Sequence, residues 1–191
     1  AWAQQPQIAV WNLAQFASCL IPLMGADEEK AVTEATRAVH DFPRIYQAAW
    51  LRRFAAKIGL QPTDQTQDLI QRLLDLMVAG QADFTRTFAG LADGRARDEF
   101  PDRDSFDTWA ADWRAAGPDL AQVAATNPVR IPRNHRIEEA IQAAVAGDLA
   151  PFQRLDAALH APFDARAEWD DLSHAPIESE RVLRTFCGTR S

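Results

Sequence analysis

Apolar residues recur along this chain at helical spacing. In "QPQIAVWNLAQFASCLIPLM", Val10, Leu13, Phe16, Ala17, Leu20 and Ile21 share one side at a period of about 3.6 residues, with Pro6 near the helix entry. The other side mixes Asn12, Gln15 and Ser18 with Ile8, Trp11 and Cys19, which is too apolar for a purely solvated face. "DEEKAVTEATRAVHDF" reads as a second helix with acids in its first turn, where the helix dipole favours them. Pro43 reads as the opening of a third helix, through "RIYQAAWLRRFAAKIGL", which Gly59 stops.

The pattern continues downstream. Leu69, Leu73, Leu76 and Met77 line one face of the next helix, with Ile70 and Leu74 beside them. "DFTRTFAGL" is a short helix, "GRARDEFPDRD" a charged loop, and Phe106, Trp109 and Trp113 stack at i, i+3 and i+7. "NPVRIPRN" carries two prolines and reads as an extended connector. Asn134 suits an N-cap, and Ile137, Ile141, Ala144 and Val145 make a buried stripe ending near Gly147. Asp148 caps a last helix with Pro151 in its first turn. No alternating strand pattern persists. The expected fold is all-α and irregular: a helical domain over 1–161 and a C-terminal tail over 162–191 that carries Cys187.

Composition narrows the function. A net charge of −7 lacks the basic footprint of a general nucleic-acid binder, and no apolar run has the length of a membrane span, so neither nucleic acid nor membrane is an expected partner. The start has no signal-peptide pattern, and two cysteines make no disulfide framework, which points to a cytoplasmic, bacterial-type setting. The first residue is Ala1, not methionine, and a helical pattern follows at once, so the chain reads as a piece of something longer.

Candidate chemistry is sparse. The glycines never form G-x-G-x-x-G or G-x-x-x-x-G-K-[ST], and neither kinase catalytic signature occurs. His40, His135, His160 and His174 are scattered; His135 and Glu139, at i and i+4, read as an exposed first turn rather than a ligand pair. Counted as a calcium loop from Asp102, the acidic run with Asp104 and Asp107 puts Asp107 where Gly is needed and Trp113 where Glu is needed. The six tryptophans read as core, and Arg52, Arg53 and Lys57 as a solvated basic face. The residues therefore give no catalytic, cofactor-binding or metal site. One feature stands apart: Cys187, a thiol close to the chain end, where residues are usually loosely held.

Three segments in this order resemble one family. "QPQIAVWNLA" (Gln5 to Ala14), "FPRIYQAAWLRRFAAKIGL" and "NPVRIPRNHRIEEAIQAAVAGDLAPFQRL", running on to "TFCGT", are similar to the selenoprotein O family of kinase-like protein adenylyltransferases. The most specific parts are Asn127, Pro128, Arg133 and Asn134, with the terminal Cys-Gly-Thr. The resemblance implies a kinase-like fold that transfers AMP from ATP to protein hydroxyls with Mg²⁺ or Mn²⁺. It also implies that the nucleotide, metal and catalytic residues lie N-terminal to this chain, which would be inactive alone. The implied partners are that missing catalytic region and the protein substrates. Cys187 matches the family's C-terminal selenocysteine or cysteine, a redox candidate whose implied partner also lies upstream. The alternative is a free-standing helical interaction module without catalysis.

Overall fold

The structure is a computed structural model and describes residues 5–182. Those residues are helical and turn-like, with no strand among them, so the chain is all-α. It divides into two compact units, Ala1–Phe54 and Ala55–Ser191.

The first unit holds α1 (Gln5–Leu20), a 3₁₀ turn (Ile21–Leu23) and most of α2 (Glu28–Lys57). Asp27 Oδ1 accepts the Lys30 N–H at 3.0 Å and so caps α2. The two helices expected on either side of Pro43 are one helix of 30 residues with Pro43 inside it. A proline there removes one backbone hydrogen bond at a cost of about 3 kcal/mol. The Phe42 and Tyr46 rings, 5.9 Å apart, bracket the defect. The packing stripe of α1 also differs from expectation. Val10, Ala14, Ala17, Leu20 and Ile21 are half-buried, but Leu13 and Phe16 are exposed. Spacing alone could not choose between two apolar arcs of the same helix.

The second unit carries α3 (Asp64–Gly80), α4 (Phe84–Gly90), α5 (Arg103–Ala115), α6 (Leu120–Thr126), α7 (Asn134–Val145) and α8 (Ala150–His160). Side-chain oxygens of Thr63, Asp83, Asp102 and Asp119 cap α3 to α6, each accepting an N–H of the first turn. The main core joins Leu69, Ile70, Leu73 and Met77 of α3 to Phe106, Trp109, Ala110 and Trp113 of α5. Both indoles are anchored: Trp109 Nε1 donates to the Leu69 carbonyl at 2.9 Å and Trp113 Nε1 to the Ile58 carbonyl at 2.7 Å. These two tryptophans are core, as expected, whereas Trp11 is 63% exposed.

Gly59 makes one turn possible. Its φ is +70°, and a Cβ there would lie 2.5 Å from the Asp119 carbonyl oxygen. Its own carbonyl accepts the Asp119 N–H at 2.8 Å.

Four local expectations change in this unit. The "charged loop" contains a 3₁₀ turn, Arg95–Glu99, tied to α5 by Arg97 donating twice to Asp107 at 2.7 Å. The cap of α7 is Arg133, with Asn134 already helical. The stripe of α7 is rotated: Ala140 is buried and Ile137 partly so, while Ile141 is exposed and Val145 is 85% exposed. A second core explains the rotation, because Ala140 packs with Leu155 and Ala158 of α8 and with Leu172, flanked by Ile137, Leu159 and Trp169. Trp169 and Leu172 belong to a 3₁₀ turn, Ala167–Ser173, within the stretch read as irregular tail.

Candidate functional site

The connector between α6 and α7, residues 127–133, holds the most specific residues of the sequence and folds back on its own unit. Asn127 is buried: its Nδ2 donates to the carbonyls of Lys57 at 2.8 Å and Val123 at 2.9 Å, and its Oδ1 accepts from Lys57 Nζ at 3.1 Å. The same ammonium lies 5.5 Å from the Phe84 ring centroid and 5.2 Å from that of Phe88. Burial lowers the Lys57 pKa. Lys57 is therefore a clasp, and the solvated basic face expected there is kept only by Arg52 and Arg53, which are exposed.

Arg133 forms a forked pair with Asp83, Nη1 to Oδ2 at 2.7 Å and Nη2 to Oδ1 at 3.1 Å. The side chains are 9% and 17% exposed. Asp83 also accepts the Arg86 backbone N–H at 2.9 Å, so one carboxylate caps α4 and fixes the connector. Burial acts to raise the Asp83 pKa, but the Arg133 hydrogen bonds and charge, with the Arg86 N–H, outweigh it and hold the carboxyl below its usual range.

Arg130 is 2% exposed. Its Nη1 donates to the Ala161 carbonyl at 2.8 Å and, at 3.5 Å, to that of Ala158; its Nη2 donates to the Asp164 carbonyl at 2.6 Å. Its side chain makes no direct ion pair among the described residues, although Asp164 and Asp170 act on its charge, and its Nε is buried without a hydrogen-bond partner among them. Its guanidinium carbon lies 5.1 Å from the Trp169 ring centroid, and that of Arg166 lies 4.7 Å from the same ring. Arg130 lines a cleft of about 480 Å³ with Arg86, Arg95, Arg166, Asp98, Glu99, Asp170 and His174 among its walls.

His135 is buried rather than exposed, and its Nε2 has no partner among the described residues. Burial, then the neighbouring Arg136, lower its pKa. Asp102 is engaged as the cap of α5, accepting from Ser105 N at 3.1 Å and Ser105 Oγ at 2.6 Å, and Asp107 as the partner of Arg97. Among the described residues no group of three or more His, Cys, Asp or Glu converges.

In the first unit the face that looks too apolar for water is exposed, with Ile8, Trp11 and Cys19 of α1; Phe16, expected on the packing side, is exposed as well, as are Ile45 and Tyr46 of α2. Cys19 is a free, exposed thiol. Cys187 lies outside the described residues. No helix among them is long and apolar enough to cross a membrane.

A family model described as "Protein adenylyltransferase SelO" matches residues 1–160. The chain belongs to the SelO family. Relatives named "Protein nucleotidyltransferase YdiU" are similar along nearly all of it. That of Ruegeria sp. (strain TM1040) is 52% identical over 195 residues, which is 99% of this chain and 41% of the relative. Those of Roseobacter denitrificans and Ruegeria pomeroyi are 49% and 48% identical, with the same coverage. This SelO-family chain thus spans about two fifths of the length of the relatives it matches.

Sequence reading missed the arginine cleft and the Lys57–Asn127 clasp. The partners of Arg130 are 28 to 34 residues away and those of Arg133 are 50 residues away, so no local spacing announces them. The proline-bounded run of basic residues, "PVRIPRN", was the one available signal.

Proposed function

We propose that this chain is the C-terminal helical region of a kinase-like protein adenylyltransferase. In that reading, AMP passes from ATP to protein hydroxyls on a catalytic region outside the present sequence, which also binds Mg²⁺ or Mn²⁺. The observation that carries it is the coverage: 99% of this chain aligns with relatives of which it spans only 41%. The chain's own residues support the same division of labour, because the polar groups of the connector are spent on carbonyls, a cap and an ion pair. The role of this region is then mechanical: it presents a stiff helical body on which the catalytic region rests.

The exposed Ile8, Trp11 and Phe16 suit such a contact, since an apolar helix face of this kind favours a partner over water. The same face is what a free-standing interaction module would offer, so it also favours that second reading. Cys187 is proposed as a regulatory thiol whose partner lies in the catalytic region, within a cytoplasmic setting where a two-cysteine protein stays reduced by default. Calorimetry with ATP and Mg²⁺ tests the central assignment. The 191-residue chain should show no stoichiometric heat, and micromolar binding would overturn it. Thiol labelling tests the regulatory role, with Cys187 reacting in the folded chain as an accessible thiolate would.

A further inference from the structure

Charges around the cleft of the second unit do not cancel evenly. Two acids on its walls have arginine neighbours, Glu99 accepting from Arg86 Nε at 2.6 Å and Asp98 lying 3.6 Å from Arg103, while Asp170 lies 3.6 Å from His174, a partner only when that ring is protonated. Two wall arginines have acids of their own beyond the lining, Arg95 with Asp93 at 2.7 Å and Arg166 with Asp164 at 3.1 Å. Arg130 is the exception, a buried cation whose side-chain hydrogen bonds all go to carbonyl oxygens, with one nitrogen unspent, the Trp169 ring beside it, and Asp164 and Asp170 acting on its charge without pairing with it directly. An arginine removed from water without a carboxylate is costly unless something neutralises it. Its position is rigid, because Val129 N and Arg130 N both donate to the Pro162 carbonyl, at 2.9 Å and 3.4 Å. The rim adds guanidinium groups with donors to spare: Arg86 uses Nε for Glu99, and Arg95 uses Nε and Nη2 for Asp93. Planar guanidinium donors match the oxygen spacing of phosphate.

We propose that this cleft binds a phosphate-type oxyanion, with Arg130 at its base and Arg95 and Arg166 at its rim. The anion adds to the counter-charge of Asp164 and Asp170, neither of which pairs directly with Arg130. The wall acids set the selectivity: with three carboxylates already in place, the site takes one compact anion and repels a polyanion such as nucleic acid. The cleft does not depend on the adenylyltransferase reading, and neither does its test.

Inorganic phosphate is titrated into the 191-residue chain while the indole N–H resonance of Trp169 is followed by NMR, with Trp169→Phe used only to assign the peak. That indole reports directly, because both Arg130 and Arg166 lie over its ring. A saturable shift is expected, and the double variant Arg95→Gln/Arg166→Gln should weaken it by about tenfold, as expected for losing charge-assisted hydrogen bonds. Both positions are more than half exposed, so that variant keeps its fold. Arg130→Gln should abolish the shift if it folds. Glycerol 2-phosphate forms a second arm: tighter binding than phosphate identifies an organic phosphomonoester, and equal binding identifies the free ion. A linear, unsaturable response to both compounds, or an affinity unchanged in the double variant, would overturn the proposal.

Discussion

Replacing Asp83 with alanine removes two supports at once. The carboxylate caps α4 through the Arg86 N–H and pairs in a fork with Arg133 of the connector. Loss of an N-cap costs about 1 kcal/mol. Breaking a buried ion pair by deleting one partner costs about 3–5 kcal/mol, because the other charge is left buried. Arg133 is only 9% exposed and its Nε already lacks a partner, so little relief comes from water. Asp83 is 17% exposed, which favours the lower end for the pair, and with the cap Asp83→Ala should cost about 4 kcal/mol. Asp83→Asn keeps one oxygen, able to accept the Arg86 N–H and one Arg133 donor, but turns its NH2 toward the other Arg133 donor and removes the charge, and should cost about 2 kcal/mol. Adding Arg133→Met to Asp83→Ala should recover part of the loss, because the stranded charge goes with it. Urea denaturation followed by tryptophan fluorescence measures all three. A loss below about 1 kcal/mol for Asp83→Ala would mean that the pair does not hold the connector.

Acid provides an independent check on the same carboxylate: its folded pKa is depressed, so its contribution is present above the ordinary value of about 3.9 and fades as pH falls through the folded value, and Asp83→Asn should flatten that acid limb. Gly59→Ala should destabilise by about 2 kcal/mol or more, since a Cβ meets the Asp119 carbonyl in a left-handed turn; a neutral result in thermal melts would refute the close approach. Asp107→Asn should change stability by less than about 1 kcal/mol, despite its paired hydrogen bonds to Arg97, because both side chains are well exposed. Trp11→Asp should leave the melting of this chain unchanged, since the ring is exposed, but should weaken its association with the proposed catalytic region in a pull-down; equal association would dismiss that face as the contact.

The all-α class was legible because helical periodicity is local and repeats over many turns. The α3 and α5 stripes were readable for the same reason: Leu69, Leu73 and Met77, and Phe106, Trp109 and Trp113, each face one dominant core. The α7 stripe is not legible locally, because its burial is set by α8 and by Leu172, whereas local spacing favours Ile141 and Val145, which are exposed. Pro43 looks locally like a helix start because proline suits a first turn, and nothing local shows that the helix passes through it. The connector was legible as a special run but not in its roles. Asn127, Arg130 and Arg133 find their partners on α2, around the end of α8 and at the cap of α4. Cys187, chosen for its position near the chain end, falls outside the described residues.

Transfer of label from α-phosphate-labelled ATP to protein tests the central claim most directly. The 191-residue chain is incubated with labelled ATP, Mg²⁺ or Mn²⁺ and a general acceptor protein, beside a longer polypeptide in which it is continuous with the region its relatives have in addition. A C-terminal helical region predicts no labelled protein from the chain alone and labelled protein from the longer polypeptide. Label transferred by the chain alone, or none transferred by the longer polypeptide, would contradict it.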